Sequence, residues 1–250
     1  MNARRTLWTV AALAALALAS ARADPVDQGT FQVYRHDQPV GVETFELDEG
    51  HDSLMVKARQ HLTIPTADGE LPLERAADLL VSRTDFSLRS FTSTRTFQGR
   101  TVRRGLTLAD THYVAYREDE HGGVGESRVL PPGRVYVMDS QLITMFDLIC
   151  RSFQDRAFKS RDINLLALGP QDTMLIAHAT ALGNETIRWG EKPVVARKLH
   201  LAADAQTTFT LWIGPQGRLL RLSEPVGGLR AERVAPPVKA RPASPPKPGG

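Results

Sequence analysis

The chain has 250 residues, with 31 Lys and Arg against 28 Asp and Glu, 16 prolines and a single cysteine. One cysteine excludes an internal disulfide framework. The net charge of +3 resides at the two ends: without Arg4, Arg5 and Arg22 it falls to zero, and without Lys239, Arg241 and Lys247 as well it falls to −3. A nucleic-acid binder needs a basic footprint on its folded body, so nucleic acid is not an expected partner.

The N-terminus has the layout of an export signal. Arg4 and Arg5 precede an uncharged apolar run over residues 7–19, and Ala21-Arg22-Ala23 is a small-x-small cleavage site. The run is shorter than the roughly 20 residues a membrane span requires. The expectation is a signal peptide over residues 1–23 and a mature protein, periplasmic or secreted, with no transmembrane segment. Residues 24–235 read as one β-rich domain. Residues 236–250 hold six prolines and no large apolar residue after Val238, so a disordered, basic, Pro-rich tail is expected there.

Short strands dominate the first half. Residues 29–34 are aromatic and β-branched, His36 to Pro39 reads as a turn, and residues 40–47 read as the returning strand. Further strands are expected at 54–58, 88–97, 100–108 and 113–117. In the third of these Val102, Arg104, Leu106 and Leu108 share a face. Residues 73–82 contain good helix formers but sit between strands, and a strand is expected. Residues 118–123 read as a polar loop, and the Gly-rich run 121–125 as a flexible one, because it opens no helix that could cradle a phosphate. Asp37, Glu43, Glu46 and Asp48 read as solvated turn and edge residues.

One helix stands out over residues 140–153. Leu142, Ile143, Met145, Phe146, Ile149, Cys150 and Phe153 fall within an arc of about 160°, with Thr144, Asp147 and Arg151 opposite. Asp139 or Ser140 is expected to cap it, and Cys150 to be a small buried apolar residue. Beyond it, residues 163–168, 174–182, 194–201, 207–213 and 218–222 read as strands.

The last two of these form a hairpin around Pro215-Gln216-Gly217. Proline cannot take the positive φ of a two-residue loop, so a three-residue loop with Gly217 left-handed is expected. That register pairs Ile213 with Leu219, Trp212 with Leu220 and Thr210 with Leu222. It puts Phe209, Leu211, Ile213 and Leu219 on one face and Trp212, Leu220 and Leu222 on the other. Both faces are then apolar, whereas an antiparallel sheet usually wets one. A single helix of 14 residues spans about 21 Å and cannot cover ten or more strands. The fold expected is therefore mainly β: a curved antiparallel sheet forming a barrel or half-barrel, with one inserted amphipathic helix.

The chemistry-bearing residues form no motif. The seven histidines lack metal-ligand spacing, and no G-x-S-x-G elbow exists. No metal site, cofactor or catalytic group is expected. His178 and His200 read as hydrogen-bonded structural residues. A curled sheet can hold an apolar ligand. The residues assigned to that role are Trp212, Leu220, Leu222 and Phe146, with Arg104 and Arg221 as polar anchors in a cavity.

Two hairpins carry a resemblance. Gly29-x-Phe31-x-Val33-Tyr34 followed by Val40-Gly41-x-Glu43-x-Phe45-x-Leu47, and Phe209-x-Leu211-Trp212 followed by Gly217-Arg218-Leu219-Leu220-Arg221-Leu222, resemble those of exported bacterial proteins related to the lipoprotein-carrier fold of LolA and LppX. So does a helix after a Pro132-Gly133 turn. The resemblance implies a curved half-barrel around an apolar concavity, with no activity to transfer. The function expected is a periplasmic binding or carrier module with an apolar groove for a lipid-like or hydrophobic ligand. The alternative is a cell-envelope accessory protein with a filled core that acts through protein–protein contacts.

Overall fold

A computed structural model describes residues 25–66, 69–153, 158–169, 171–204 and 207–236. The expected signal peptide and all but the first residue of the expected tail lie outside them. Among the described residues fifteen strands form one sheet. In the first half these are β1 (Asp27–Arg35), β2 (Gln38–Glu49), β3 (Ser53–Thr66), β4 (Gly69–Ser82), β5 (Leu88–Phe97), β6 (Arg100–Leu108), β7 (His112–Asp119), β8 (Gly122–Val129) and β9 (Val135–Asp139). Helix α1 (Ile143–Ser152) follows, and then β10 (Ser160–Leu168), β11 (Thr173–Trp189), β12 (Lys192–Ala202), β13 (Thr208–Ile213), β14 (Leu219–Glu224) and β15 (Leu229–Arg233).

The order across the sheet is β8-β7-β6-β5-β4-β3-β2-β1-β15-β14-β13-β12-β11-β10-β9. Every pairing is antiparallel except β9 with β10, which α1 connects as a crossover. The sheet is curved and unclosed, with β8 and β9 as its free edges. It is the mainly-β architecture with one helix that the periodicity indicates.

Alternation explains the curl. Along β3 to β4 every second residue is buried, as in Leu54, Val56, Ala58 and Leu62, then Leu73, Ala77, Leu79 and Val81. These residues line the concave side, and α1 lies against it. Residues 143 to 151 of the helix are all buried. Phe146 packs against Phe209 of β13 in a tilted arrangement with ring centroids 4.7 Å apart, and Phe153 likewise against Tyr136 of β9 at 5.5 Å. Cys150 is wholly buried, and burial pushes its thiol well above the ordinary range.

Residues 73–82 are strand, inside β4. The polar loop expected at 118–123 is instead a tight turn between β7 and β8, and the Gly-rich run lies in β8 itself. A Cβ on Gly123 would sit 3.0 Å from the Tyr116 hydroxyl, so glycine there lets the tyrosine ring cross the edge strand. The closing hairpin keeps its expected loop, with Gly217 at φ 73° and Gly214 N–H donating to the Arg218 carbonyl. Its register is corrected by a bulge. Ile213 pairs with Leu219, but Trp212 pairs with Arg221 and Leu211 with Leu222.

That extra residue sends Leu222 to the concave side. Trp212 and Leu220 remain on the convex side in a small cluster with Ile187 and Ala196, flanked by Trp189 and Val194. Lys198 and Arg221 lie over the Trp212 ring at 5.0 and 5.5 Å. The second apolar face is thus covered by neighbouring strands and two cation–π contacts, not by the helix or a guest.

Candidate functional site

A row of polar residues crosses the concave side. Register places Arg233 opposite Phe31, Phe31 opposite Glu43, Glu43 opposite Gln60, Gln60 opposite Arg75, and Arg75 opposite Arg95. Glu43, Gln60, Arg75 and Arg233 are buried. Each occupies an inward position of its strand, where the alternation otherwise supplies apolar side chains. The row meets the polar stripe of α1.

Glu43 caps α1. Its Oε1 accepts from the Thr144 amide and hydroxyl, both at 2.6 Å, and its Oε2 from the Ile143 amide and Gln60 Nε2, both at 3.0 Å. Neither Asp139 nor Ser140 caps the helix, which starts three residues later than the periodicity suggests, and Leu142 at its N-cap offers no side-chain oxygen. Glu43 is therefore no solvated edge residue. Burial pushes its carboxyl above the ordinary range, against the pull of these hydrogen bonds and of Arg75.

The other half of the stripe forms a buried ion network. Asp147 Oδ2 accepts from Arg151 Nε at 2.7 Å, and its Oδ1 from the Leu219 amide at 2.7 Å. Arg233 Nη2 donates to both Asp27 oxygens at 2.8 and 2.9 Å, Arg218 Nε lies 3.3 Å from Asp27, and Arg151 also pairs with Asp27. Burial opposes the charge on Asp27, but Arg233 and Arg151 hold its carboxyl below the ordinary range. The unfolded chain therefore takes up this proton at a higher pH than the folded one. The stability Asp27 contributes is present above the unfolded carboxyl's value of 3.8 and is lost as pH falls through the folded value. Urea midpoints measured from neutral to acid pH should fall steeply at the acid end, and less steeply in Asp27→Asn.

A trough runs along the concave side beyond α1. At one end a cleft of about 520 Å³ has apolar walls that include Val33, Val40, Leu62, Ile64, Leu73 and Phe97, and is also lined by Arg35, His36, Gln38 and Gln60, and by Arg95 and Gln141. The same two residues border a pocket of about 280 Å³ that also holds Arg75, Arg104, Arg117 and Asp139. Arg104 and Arg117 in turn border a third cleft of about 620 Å³ along β7 and β8, which reaches Gln171 and Asp172. Arg75 Nη1 donates to Asp139 at 3.0 Å. Arg104 donates to the Gly169 carbonyl at 3.0 Å and pairs with Asp172, while Arg128 of β8 donates to the Asp172 carbonyl at 3.2 Å. These arginines tie the β6–β8 end of the sheet to the segment after β10.

Of the residues singled out in the sequence, the structure brings only Arg104 to the trough. Phe146 and Leu222 belong to the packed core around α1. Trp212, Leu220 and Arg221 lie on the convex side, where Arg221 Nε is 3.1 Å from Glu232. His178 is exposed and pairs with Asp162 at 2.7 Å. Arg75, Arg95 and Arg117 escaped the sequence reading. The signal was there, in charged residues at inward parity, such as Arg75 between Leu73 and Ala77. Among the described residues no group of three or more His, Cys, Asp or Glu could hold a metal ion, and no helix is long and apolar enough to cross a membrane.

These elements define an open antiparallel sheet curled round a single helix. No protein-family model and no curated protein matches the chain. Among solved structures, a DUF1089-family protein from Pseudomonas aeruginosa is similar at 13% identity and a TM-score of 0.43, over 71% of this chain and 87% of that one.

Proposed function

We propose that the protein is an exported binding or carrier module, periplasmic or secreted, whose trough takes a hydrophobic, lipid-like ligand. The observation that carries this reading is the cleft of about 520 Å³ lined by Val33, Val40, Leu62, Ile64, Leu73 and Phe97. Its volume falls in the range typical of small-molecule sites, which are concave, mostly apolar and marked by a few polar groups. Helix α1 supports the concavity rather than filling all of it. Its N-terminal approach, Gln141, forms one wall of the cleft. The signal-like N-terminus supports export, and the two hairpins resembling LolA and LppX point to the same kind of module. Native mass spectrometry of the full chain purified from an envelope fraction should show a co-purifying apolar mass that organic extraction removes.

A second reading, an envelope accessory protein acting through protein–protein contacts, draws on the packing around α1 and on the open edge strand β8, seven of whose eight residues are exposed, all but Glu126. A bare mass before and after extraction would favour it.

A further inference from the structure

Arginines of four adjacent strands converge on one pocket. Arg75 on β4 stands directly opposite Arg95 on β5, and Arg104 on β6 directly opposite Arg117 on β7. Like charges facing each other across a ladder repel, so two such pairs in a row weaken the sheet where they stand. All four line the pocket of about 280 Å³, and its one acid, Asp139, is engaged by Arg75. Asp172, just beyond, engages Arg104. Arg95 Nε is buried without a hydrogen bond. Burial and then the Arg75 charge hold the Arg95 guanidinium below its ordinary range. Burial acts likewise on Arg104, where Arg117 and Arg75 add to the effect and Asp139 opposes it.

The pocket is continuous with the apolar cleft through Arg95 and Gln141. We infer that the Arg75, Arg95, Arg104 and Arg117 cluster is an anion subsite, and that the trough takes a single-chain amphiphile with its alkyl chain in the cleft and a carboxylate or phosphate head among the arginines. This rests on the carrier reading and names the ligand class for it. Guanidinium groups match planar oxyanions with paired N–H donors, and an anionic head relieves the repulsion between the facing pairs.

The test titrates delipidated full chain with palmitate and with cetyl alcohol, chains of equal length with and without a charge. Palmitate should bind at least about tenfold tighter, and added salt should narrow the gap. The exposed Arg117→Gln, outside the apolar cleft, should reduce palmitate affinity several-fold and leave the alcohol unchanged, and Arg95→Gln, which also touches the cleft, should weaken palmitate several-fold more than the alcohol. Thermal unfolding of each variant verifies that it folds. Equal affinity for the two chains, or the same loss for both in the variants, overturns the anion subsite while the cleft stands. Binding of neither overturns the cleft as well.

Discussion

Asp147→Ala should lower stability by about 3–5 kcal/mol, the usual cost of breaking a buried ion pair by removing one partner. Asp147 is fully buried, accepts from Arg151 Nε and the Leu219 amide, and lies 3.5 Å from Arg233 Nη1. Its loss leaves Arg151, Arg218 and Arg233 facing a single acid, Asp27, and strips the Leu219 amide of its acceptor at the start of β14. For a domain of this size the melting temperature should fall by roughly 10 °C or more. Differential scanning calorimetry measures it. A double-mutant cycle with Arg151→Ala should give a coupling energy of about 1 kcal/mol or more. Additive effects would mean that the pair does not act as a unit.

Glu43→Ala should cost at least about 3 kcal/mol, because each buried donor left without an acceptor costs about 1–3 kcal/mol. Four donors converge on Glu43: the Ile143 and Thr144 amides, the Thr144 hydroxyl and Gln60 Nε2. The first two are helix N-terminal amides with no intrahelical partner. The lesion should free α1 locally, so hydrogen exchange should accelerate over residues 143–146 more than in β11 to β13. A uniform change across the sheet would contradict the assignment of Glu43 as the cap.

These two residues also show where the sequence is readable and where it is not. The apolar stripe of α1 is local, repeats at helical spacing, and identifies the helix to within three residues. Its polar stripe of Thr144, Asp147 and Arg151 has the pattern of a solvated face. The groups that satisfy it, Glu43, Asp27 and Arg233, lie 86 to 124 positions away in the chain. No local pattern announces such partners, so Glu43 reads as an edge acid until the fold is known.

The closing hairpin makes the same point about register. Alternation assigns its faces correctly up to Ile213, but Leu220, the extra residue of β14 where the register shifts opposite Trp212 and Ile213, moves Leu222 to the opposite face. The hairpin's two apolar faces do accompany a curved sheet, but Trp212 and Leu220 are covered by Ile187, Ala196 and the stems of Lys198 and Arg221 rather than by the curl. Strands β8, β9 and β15 carry no clear strand signal in the sequence. β8 is Gly-rich, β9 is only five residues long, and β15 alternates Leu229, Ala231 and Arg233 inward with charged residues outward. The trough itself depends on how the β6–β8 end approaches the segment after β10, a relation set by Arg104 and Arg128 across 44 to 68 positions.

The central claim is that the cleft beside α1 receives an apolar chain. Fluorescence titration of the delipidated protein with an apolar dye, beside an Ile64→Trp variant whose larger ring occupies the partly exposed cleft wall, tests it most directly. The account predicts one saturable site in the native protein and a loss of at least about tenfold in the variant, with thermal stability retained. No saturable binding, or equal binding by both proteins, would contradict it.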